Sequence, residues 1–375
     1  MKRYGINLLY LTPQQVGGTQ TYAEELIKNI IPNLHTDEQL VLYCAKNNAH
    51  LFKENQQVRI RVLPIDSSNY VTRYIIENTF LPTLLFEDKV EALLSLGYTK
   101  PLISTCKNVV TIHDLNWYYH PENYSPINGF IWKLICVLSA KTADKIIAIS
   151  STTKSSIVNI LKIPSNIIEV IYHGYIKPIQ YDQKSVNEVL SKYVNNNPYI
   201  FSVLSHYPHK NIETLIQSFI KVKKKNRNLK LLIAGTGTSK AKQDRVAYIS
   251  QKNQNDVALL PYLSKTELEI LYQNCMVYIS PSKYEGFGLP ILEAISNKAP
   301  VIASNIPVYR EILGSKAMLF KPTDVNELSK IVEKIISHVD IRSKTIQSQH
   351  GILKKFSWKI SALKTLDTIR SMNQK

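Results

Sequence analysis

The chain is short of acid, short of cysteine and free of long apolar runs. Its 29 Asp and Glu stand against 46 Lys and Arg, a formal net charge of +17. Such an imbalance points to nucleic acid, an anionic membrane face or phosphorylated small molecules as partners. The charge is spread along the chain. Its densest run, Lys221, Lys223, Lys224, Lys225 and Arg227, reads either as the solvated end of a helix or as a basic patch toward a membrane or an acceptor. The four cysteines, Cys44, Cys106, Cys136 and Cys275, lie far apart with no Cys-x-x-Cys pair. That argues against a disulfide framework and a zinc site, and for buried thiols in a reducing compartment. No stretch approaches the roughly 20 apolar residues that span a bilayer. The apolar run near Met1 lacks a small-residue cleavage site and reads as a first strand rather than a signal peptide. A cytoplasmic protein is expected, with the inner face of the cytoplasmic membrane as a place for it to work. There is no Gly-x-x-x-x-Gly-Lys-Ser/Thr, no Gly-x-Gly-x-x-Gly and no Asp-x-Asp. A P-loop, a dinucleotide fingerprint and a metal held on a diphosphate by paired aspartates are therefore unsupported. No metal and no other cofactor is expected.

What is present is material for two cores. The 375 residues, 44% hydrophobic and 20% charged, exceed the ~250–300 at which a single core stops growing. Strand-like runs at Ile6–Tyr10, Leu40–Cys44, Val58–Val62, Val109–Ile112, Lys145–Ile149 and Ile167–Ile171 alternate with helical patterns such as Thr19–Ile31. The pattern loosens between His173 and Pro198. A second series follows at Tyr199–Leu204, Leu229–Ala234, Val257–Leu260, Met276–Ile279 and Val301–Ala303. Alternation of this kind predicts βαβ units and parallel sheets, an α/β protein. The boundaries read as 1–180 for the first domain, 190–355 for the second, and 356–375 for a terminal helix that packs back on the first. Ligands of open α/β sheets bind beyond the carboxyl ends of the strands, so functional residues are expected in loops that follow strands.

The strongest such loop is Glu285-Gly286-Phe287-Gly288-Leu289-Pro290-Ile291-Leu292-Glu293. It follows the Met276–Ile279 strand, and Pro290 suits the first position of a helix. Its glycines permit close approach of backbone to a ligand, and the helix start offers a partial positive charge suited to phosphate. A carboxylate on either side of the loop could hold hydroxyl groups. Two further constellations stand at strand ends. His113-Asp114 closes Val109–Ile112, and Gly17-Gly18 follows the first strand. Pro208-His209-Lys210-Asn211 opens the helix after Tyr199–Leu204.

These landmarks together resemble the retaining glycosyltransferases of family 4. The Glu285…Glu293 segment resembles that family's Glu-x7-Glu motif. Asn297-Lys298-Ala299-Pro300-Val301-Ile302-Ala303-Ser304, Glu311, Thr111-Ile112-His113-Asp114-Leu115, Ile147-Ala148-Ile149-Ser150, Tyr172-His173-Gly174 and Pro208-His209-Lys210-Asn211 resemble its other landmarks in the same order. The resemblance covers nearly the whole chain. It implies a GT-B fold, two Rossmann-like domains facing each other across a deep cleft. It implies retention of anomeric configuration, and transfer of a hexose from a UDP- or GDP-linked donor to a glycan or lipid-linked oligosaccharide acceptor, as in bacterial surface-polysaccharide or lipopolysaccharide assembly. Glu293 would hold the donor ribose, and Glu285 the sugar near the reacting carbon. Gly286, Phe287, Gly288 and Leu289 would hold the diphosphate and sugar through their backbone, and Lys210 would neutralise the leaving diphosphate. His113 would approach the sugar from the acceptor side, with Asp114 beside it. Gly17 and Gly18 would let the first loop near the diphosphate or acceptor, and Tyr262 would meet the base.

Two departures from the family pattern stand out. Leu204-Ser205 occupies the place of a Gly-Arg pair whose arginine is a second phosphate clamp, with His206 and His209 nearby, and Lys298 replaces a glycine. Two other functions fit parts of the same evidence. One is a nucleotide-sugar epimerase or phosphorylase on this fold, which the full order of transferase landmarks disfavours. The other is a basic nucleic-acid-binding protein, for which no recognition motif exists, so no nucleic-acid partner is expected. The aromatic and apolar stretch from Tyr70 to Phe86, with Trp117, Tyr118, Tyr119 and Trp132, reads as core and surface or as an acceptor-side face in peripheral contact with an anionic membrane.

Overall fold

The computed structural model describes residues 1–13, 18–205, 207–235 and 256–372, so Gly17 and His206 lie outside the described residues. The chain divides into two compact units, Met1–Gly174 with Phe356–Lys375, and Tyr175–Lys355. Each is built on a parallel sheet, the α/β architecture that the alternating pattern predicts.

The first unit holds seven strands: β1 Lys2–Asn7, β2 Glu38–Ala45, β3 Val58–Leu63, β4 Ala92–Ser95, β5 Lys107–Ile112, β6 Lys145–Ala148 and β7 Ile168–Val170. They lie in the order β3-β2-β1-β4-β5-β6-β7, every pair parallel. The chain winds outward from β1 to β3, then returns to β1's other edge at β4. The connections leave in opposite directions between β1 and β4, which makes that gap the switch point where ligands of such sheets bind. The strand expected at Ile6–Tyr10 is Lys2–Asn7 instead. Leu8, Leu9 and Leu11 are as buried as strand residues but belong to the loop, and Asn7 stops the strand by accepting the Leu9 N–H through its side chain at 3.2 Å. β4 was not legible in sequence. Its Ala-Leu-Leu-Ser carries no β-branched residue, and a run this short cannot be told from a helix by periodicity.

The helix Trp358–Ser371 belongs to this first unit and packs on the helix Thr19–Ile30. Ser357 caps it by accepting the Ile360 N–H. Its far end is fixed by charge. Arg370 donates from Nε and Nη2 to the two oxygens of buried Glu38 at 2.8 and 2.5 Å, and also to the Asn33 carbonyl.

The second unit holds six parallel strands: β8 Tyr199–Val203, β9 Lys230–Ala234, β10 Val257–Leu259, β11 Val277–Ser280, β12 Val301–Ser304 and β13 Met318–Phe320. Their order, β10-β9-β8-β11-β12-β13, places a second switch point between β8 and β11. The core joins Ile200, Leu231, Ile233 and Ile279 of the sheet to Leu215, Ile216 and Phe219 of the helix Ile212–Lys223 and to Val332 and Ile335 of the helix Val325–Ser337. Full burial of one such side chain is worth roughly 1.5–3 kcal/mol, which is what anchors the loops at the strand ends. β13 escaped the sequence reading for the same reason as β4.

Candidate active site

The loops that leave β8 and β11 at the second switch point are fastened to each other. The Lys283 N–H donates to the His209 carbonyl at 2.7 Å. Asn211 donates from Nδ2 to the Pro281 carbonyl at 2.9 Å and to the Pro322 carbonyl at 2.6 Å. Asn211 takes a left-handed backbone, φ 57°, where Asn is among the few side chains at ease. Its place beside Lys210 was visible in sequence, but its work as a tie between three loops was not.

On this frame Lys210 and Glu285 meet. Lys210 Nζ donates to Glu285 Oε1 at 2.6 Å, and Ser282 Oγ donates to the same oxygen at 2.8 Å. Both long side chains keep 19% exposure, enough to present them to a ligand. Burial pushes the Glu285 carboxyl up, but the Lys210 charge and the hydrogen bonds from Lys210 and Ser282 outweigh it and hold the group below the usual carboxylate range. Glu285 is therefore ionised at neutral pH.

Glu293 is shifted the other way. It lies on the helix Leu289–Ser296, where Tyr272 donates to its Oε2 at 3.2 Å. Burial lifts its carboxyl above the usual range, the Tyr272 hydrogen bond opposes this, and the Glu269 charge adds to the rise. Two carboxylates pushed in opposite directions are a signature of functional sites. Tyr278 on β11 lies within electrostatic reach of both, since burial, Glu293 and Glu285 in that order raise its hydroxyl.

Between the glutamates the chain makes a tight turn. Gly288 has φ 112°, and a Cβ there would come within 2.8 Å of the Tyr309 ring. Phe287 and Leu289 are buried, and Pro290 stands at the second helical position rather than the first. Tyr309 is itself held by a 2.6 Å hydrogen bond to Ser280. Lys298 is exposed with φ 60°, a left-handed backbone that glycine adopts without strain. Tyr262 is 74% exposed, in the loop before the Ser264-capped helix Lys265–Asn274.

The remaining residues singled out belong to the first unit. His113 is 6% exposed at the end of β5. Its Nε2 lies 2.7 Å from the Leu96 carbonyl, which can only accept, so Nε2 carries the proton. Burial pushes the imidazole down to about 4, the Leu96 hydrogen bond opposing. His113 is thus neutral at pH 7, and its other nitrogen is an acceptor. Its ring packs edge-on against Tyr22. Asp114 accepts the Asn116 N–H at 2.9 Å and so shapes the loop after the strand. Gly18 caps the helix Thr19–Ile30, with φ −71°, its carbonyl accepting from Tyr22 at 2.9 Å. Among the described residues no group of three or more His, Cys, Asp or Glu could hold a metal ion, and no helix is long and apolar enough to cross a membrane.

Comparison with known proteins places both units. Residues 16–175 match Glycosyltransferase Family 4, and residues 187–349 match Glycosyl transferases group 1. The chain is 29% identical over 238 residues to the O-antigen chain mannosyltransferase RfbU of Salmonella typhimurium, a match covering 64% of this chain and 63% of that protein, less than two thirds of its length. It is 26% identical over 270 residues to the O-antigen chain mannosyltransferase B of Escherichia coli, 70% of each. The crystal structure of Anabaena HepE in complex with UDP and glucose superposes with a TM-score of 0.75 at 17% identity, over 99% of this chain and 100% of that one. That likeness establishes the fold, two parallel α/β domains of the GT-B kind.

Proposed function

Because the chain belongs to the glycosyltransferases that join a family 4 domain to a group 1 domain, we propose that it is a retaining hexosyltransferase. It takes a hexose from a UDP- or GDP-linked donor and places it on a glycan or lipid-linked acceptor in polysaccharide assembly. The names of the two mannosyltransferase relatives favour mannose as the sugar, and the UDP complex of HepE supports a nucleoside diphosphate as the leaving group.

The observation that carries the reading is the Lys210–Glu285 pair at the β8/β11 switch point, with Glu293 shifted the opposite way beside it. Departure of a nucleoside diphosphate develops negative charge. A fixed ammonium is the group to stabilise it, and Lys210 has three N–H donors, only one of which Glu285 takes. Ionised Glu285 faces the positive charge that grows on the sugar. Glu293, on the helix that starts behind the glycine turn, suits the ribose hydroxyls. The backbone from Gly286 to Leu289, at a helix start, suits the diphosphate. Neutral His113 can accept a hydrogen bond from a sugar hydroxyl. The acceptor hydroxyl would be deprotonated by the leaving phosphate on the same face of the sugar, which retains its configuration. No metal is assigned a role. Exposed Ile127, Phe130, Ile131 and Leu134 beside exposed Lys133 support a peripheral contact with an anionic membrane face.

A donor screen tests this. Wild-type protein is incubated with UDP- and GDP-linked glucose, galactose, mannose and N-acetylglucosamine, and release of the nucleoside diphosphate is followed. One donor turning over, with the anomeric configuration kept by NMR of the product, is expected. An isomerised sugar nucleotide, or an inverted product, contradicts the proposal.

A further inference from the structure

The imidazole of His113 is held by rings from distant parts of the chain. Tyr98, in the loop after β4, lies 5.2 Å from it, centre to centre. Tyr22, on the helix Thr19–Ile30, stands edge-on to it at 5.1 Å. Tyr22 is fixed in turn by a 3.2 Å hydrogen bond between its hydroxyl and Thr111 Oγ1, on the same strand as His113's approach. From the helix Ser151–Ser156, Thr153 Oγ1 donates to the His113 carbonyl at 3.2 Å.

The ring cluster continues beyond Tyr22 to the terminal helix. His173, buried in the loop after β7, lies 4.7 Å from Tyr22 and 6.1 Å from His113. It also packs on Trp358, the first residue of the helix Trp358–Ser371, at 5.4 Å with the planes 33° apart. Trp358 itself reaches Tyr22 at 6.2 Å. The chain is shaped for this contact. A Cβ on Gly174 would come within 2.1 Å of the Trp358 nitrogen and 2.6 Å of its ring, so only glycine lets the helix begin there. Ser361, one turn on, donates to the Tyr172 carbonyl.

We infer that Trp358 is a positioning residue for His113. Through His173 and Tyr22 it keeps the imidazole shut off from water and in one orientation, with Nε2 on the Leu96 carbonyl and Nδ1 left as the acceptor for the donor sugar. The sugar rests on the transferase reading. The physical argument is packing. Removing a large buried ring leaves a space that its neighbours enter or water fills. His173 and Tyr22 are those neighbours, and Tyr22 is the wall against which His113 stands. The titratable groups that face His113 are Tyr22, Tyr98 and His173, and burial is the main cause of its lowered pKa. An opened wall therefore favours the charged ring and frees it to turn.

The test follows the His113 ring by NMR of the full-length protein with labelled histidine, assigned with His113→Gln, and donor turnover beside it. In wild type the ring should keep its proton on Nε2 and titrate near 4. In Trp358→Leu the titration should move up toward 6.5 and the tautomers should mix. The same variant should lose at least about tenfold in kcat with donor KM nearly unchanged, as for a misplaced group. Trp358→Phe, which keeps a ring against His173, should recover most of both. Leu366→Ala, a buried change two turns along the same helix, should lower the unfolding temperature and leave the His113 signals alone. If Trp358→Leu does not fold, His173→Gln removes the middle ring and decides. Unchanged His113 signals in whichever of these two variants folds overturn the inference, and so does an equal shift in Leu366→Ala. Altered signals with unchanged kcat overturn the link to the chemistry. An inactive wild type whose His113 responds to Trp358 sinks the transferase reading and leaves the positioning. An active one whose His113 ignores Trp358 leaves the transferase and sinks the positioning.

Discussion

Glu285 and Glu293 sit eight positions apart in one segment, yet their environments shift their carboxyls in opposite directions. Lys210 and Ser282 hold one carboxyl below the usual range, while burial raises the other above it. The turn between them depends on Gly288, whose φ of 112° and closeness to Tyr309 admit no side chain. Gly288→Ala should lower stability by about 2 kcal/mol, from strain in a left-handed position plus the displaced ring, read by urea denaturation. An unchanged midpoint would show that the turn tolerates a side chain. His113 carries a pH signature. Its pKa falls from 6.5 to about 4 on folding, so the neutral ring contributes stability that is fully present above pH 6.5 and is lost as pH falls through about 4. The linkage is about 3 kcal/mol. Urea unfolding of wild type should therefore lose more stability between pH 7 and pH 4 than His113→Gln does, and equal losses would refute it. At this scale residue type and spacing singled out the two glutamates, Lys210 and His113 as candidates, and of these the structure pairs Lys210 with Glu285. The sequence was silent where partners are distant along the chain. Nothing marks Ser282 and Tyr272 as the neighbours that tune the glutamates, or Asn211 as the tie to Pro281 and Pro322.

Among the elements, the terminal helix buries Trp358, Ala362, Leu366 and Ile369 and is fastened at its far end by an ion pair. Arg370 holds Glu38, a residue with a 2% exposed side chain at the start of β2. Burial raises the Glu38 carboxyl, but hydrogen bonds from Arg370 and the His35 N–H and the Arg370 charge bring it down to about 2. A depressed carboxylate stabilises the fold above its unfolded pKa and loses that contribution as pH falls through the folded one. Arg370→Ala should thus cost about 3 kcal/mol at pH 7, and the gap from wild type should close as pH falls from about 4.5 toward 2. A gap independent of pH would place the loss in packing rather than charge. Longer elements with β-branched residues, such as Val58–Leu63 and Lys107–Ile112, could be read from sequence to within two residues. The four-residue β4 and three-residue β13 could not, because they are too short to show a period. β1 was misplaced because a buried loop of leucines follows it and looks like a strand.

At the scale of the molecule, the two parallel sheets were legible as repeated alternation of strand and helix, and each brings loops to a switch point that the sequence alone does not locate. In the second sheet that point holds the pair on which the account turns. The measurement that tests it most directly is donor turnover by wild type, Lys210→Ala and Glu285→Ala, with thermal unfolding of all three run alongside. Each substitution should cut turnover by about 10²–10³, as for loss of a fixed electrostatic group in the transition state, while the unfolding temperature stays within a few degrees of wild type. Near-normal turnover in both variants would contradict the assignment of this pair to the chemistry.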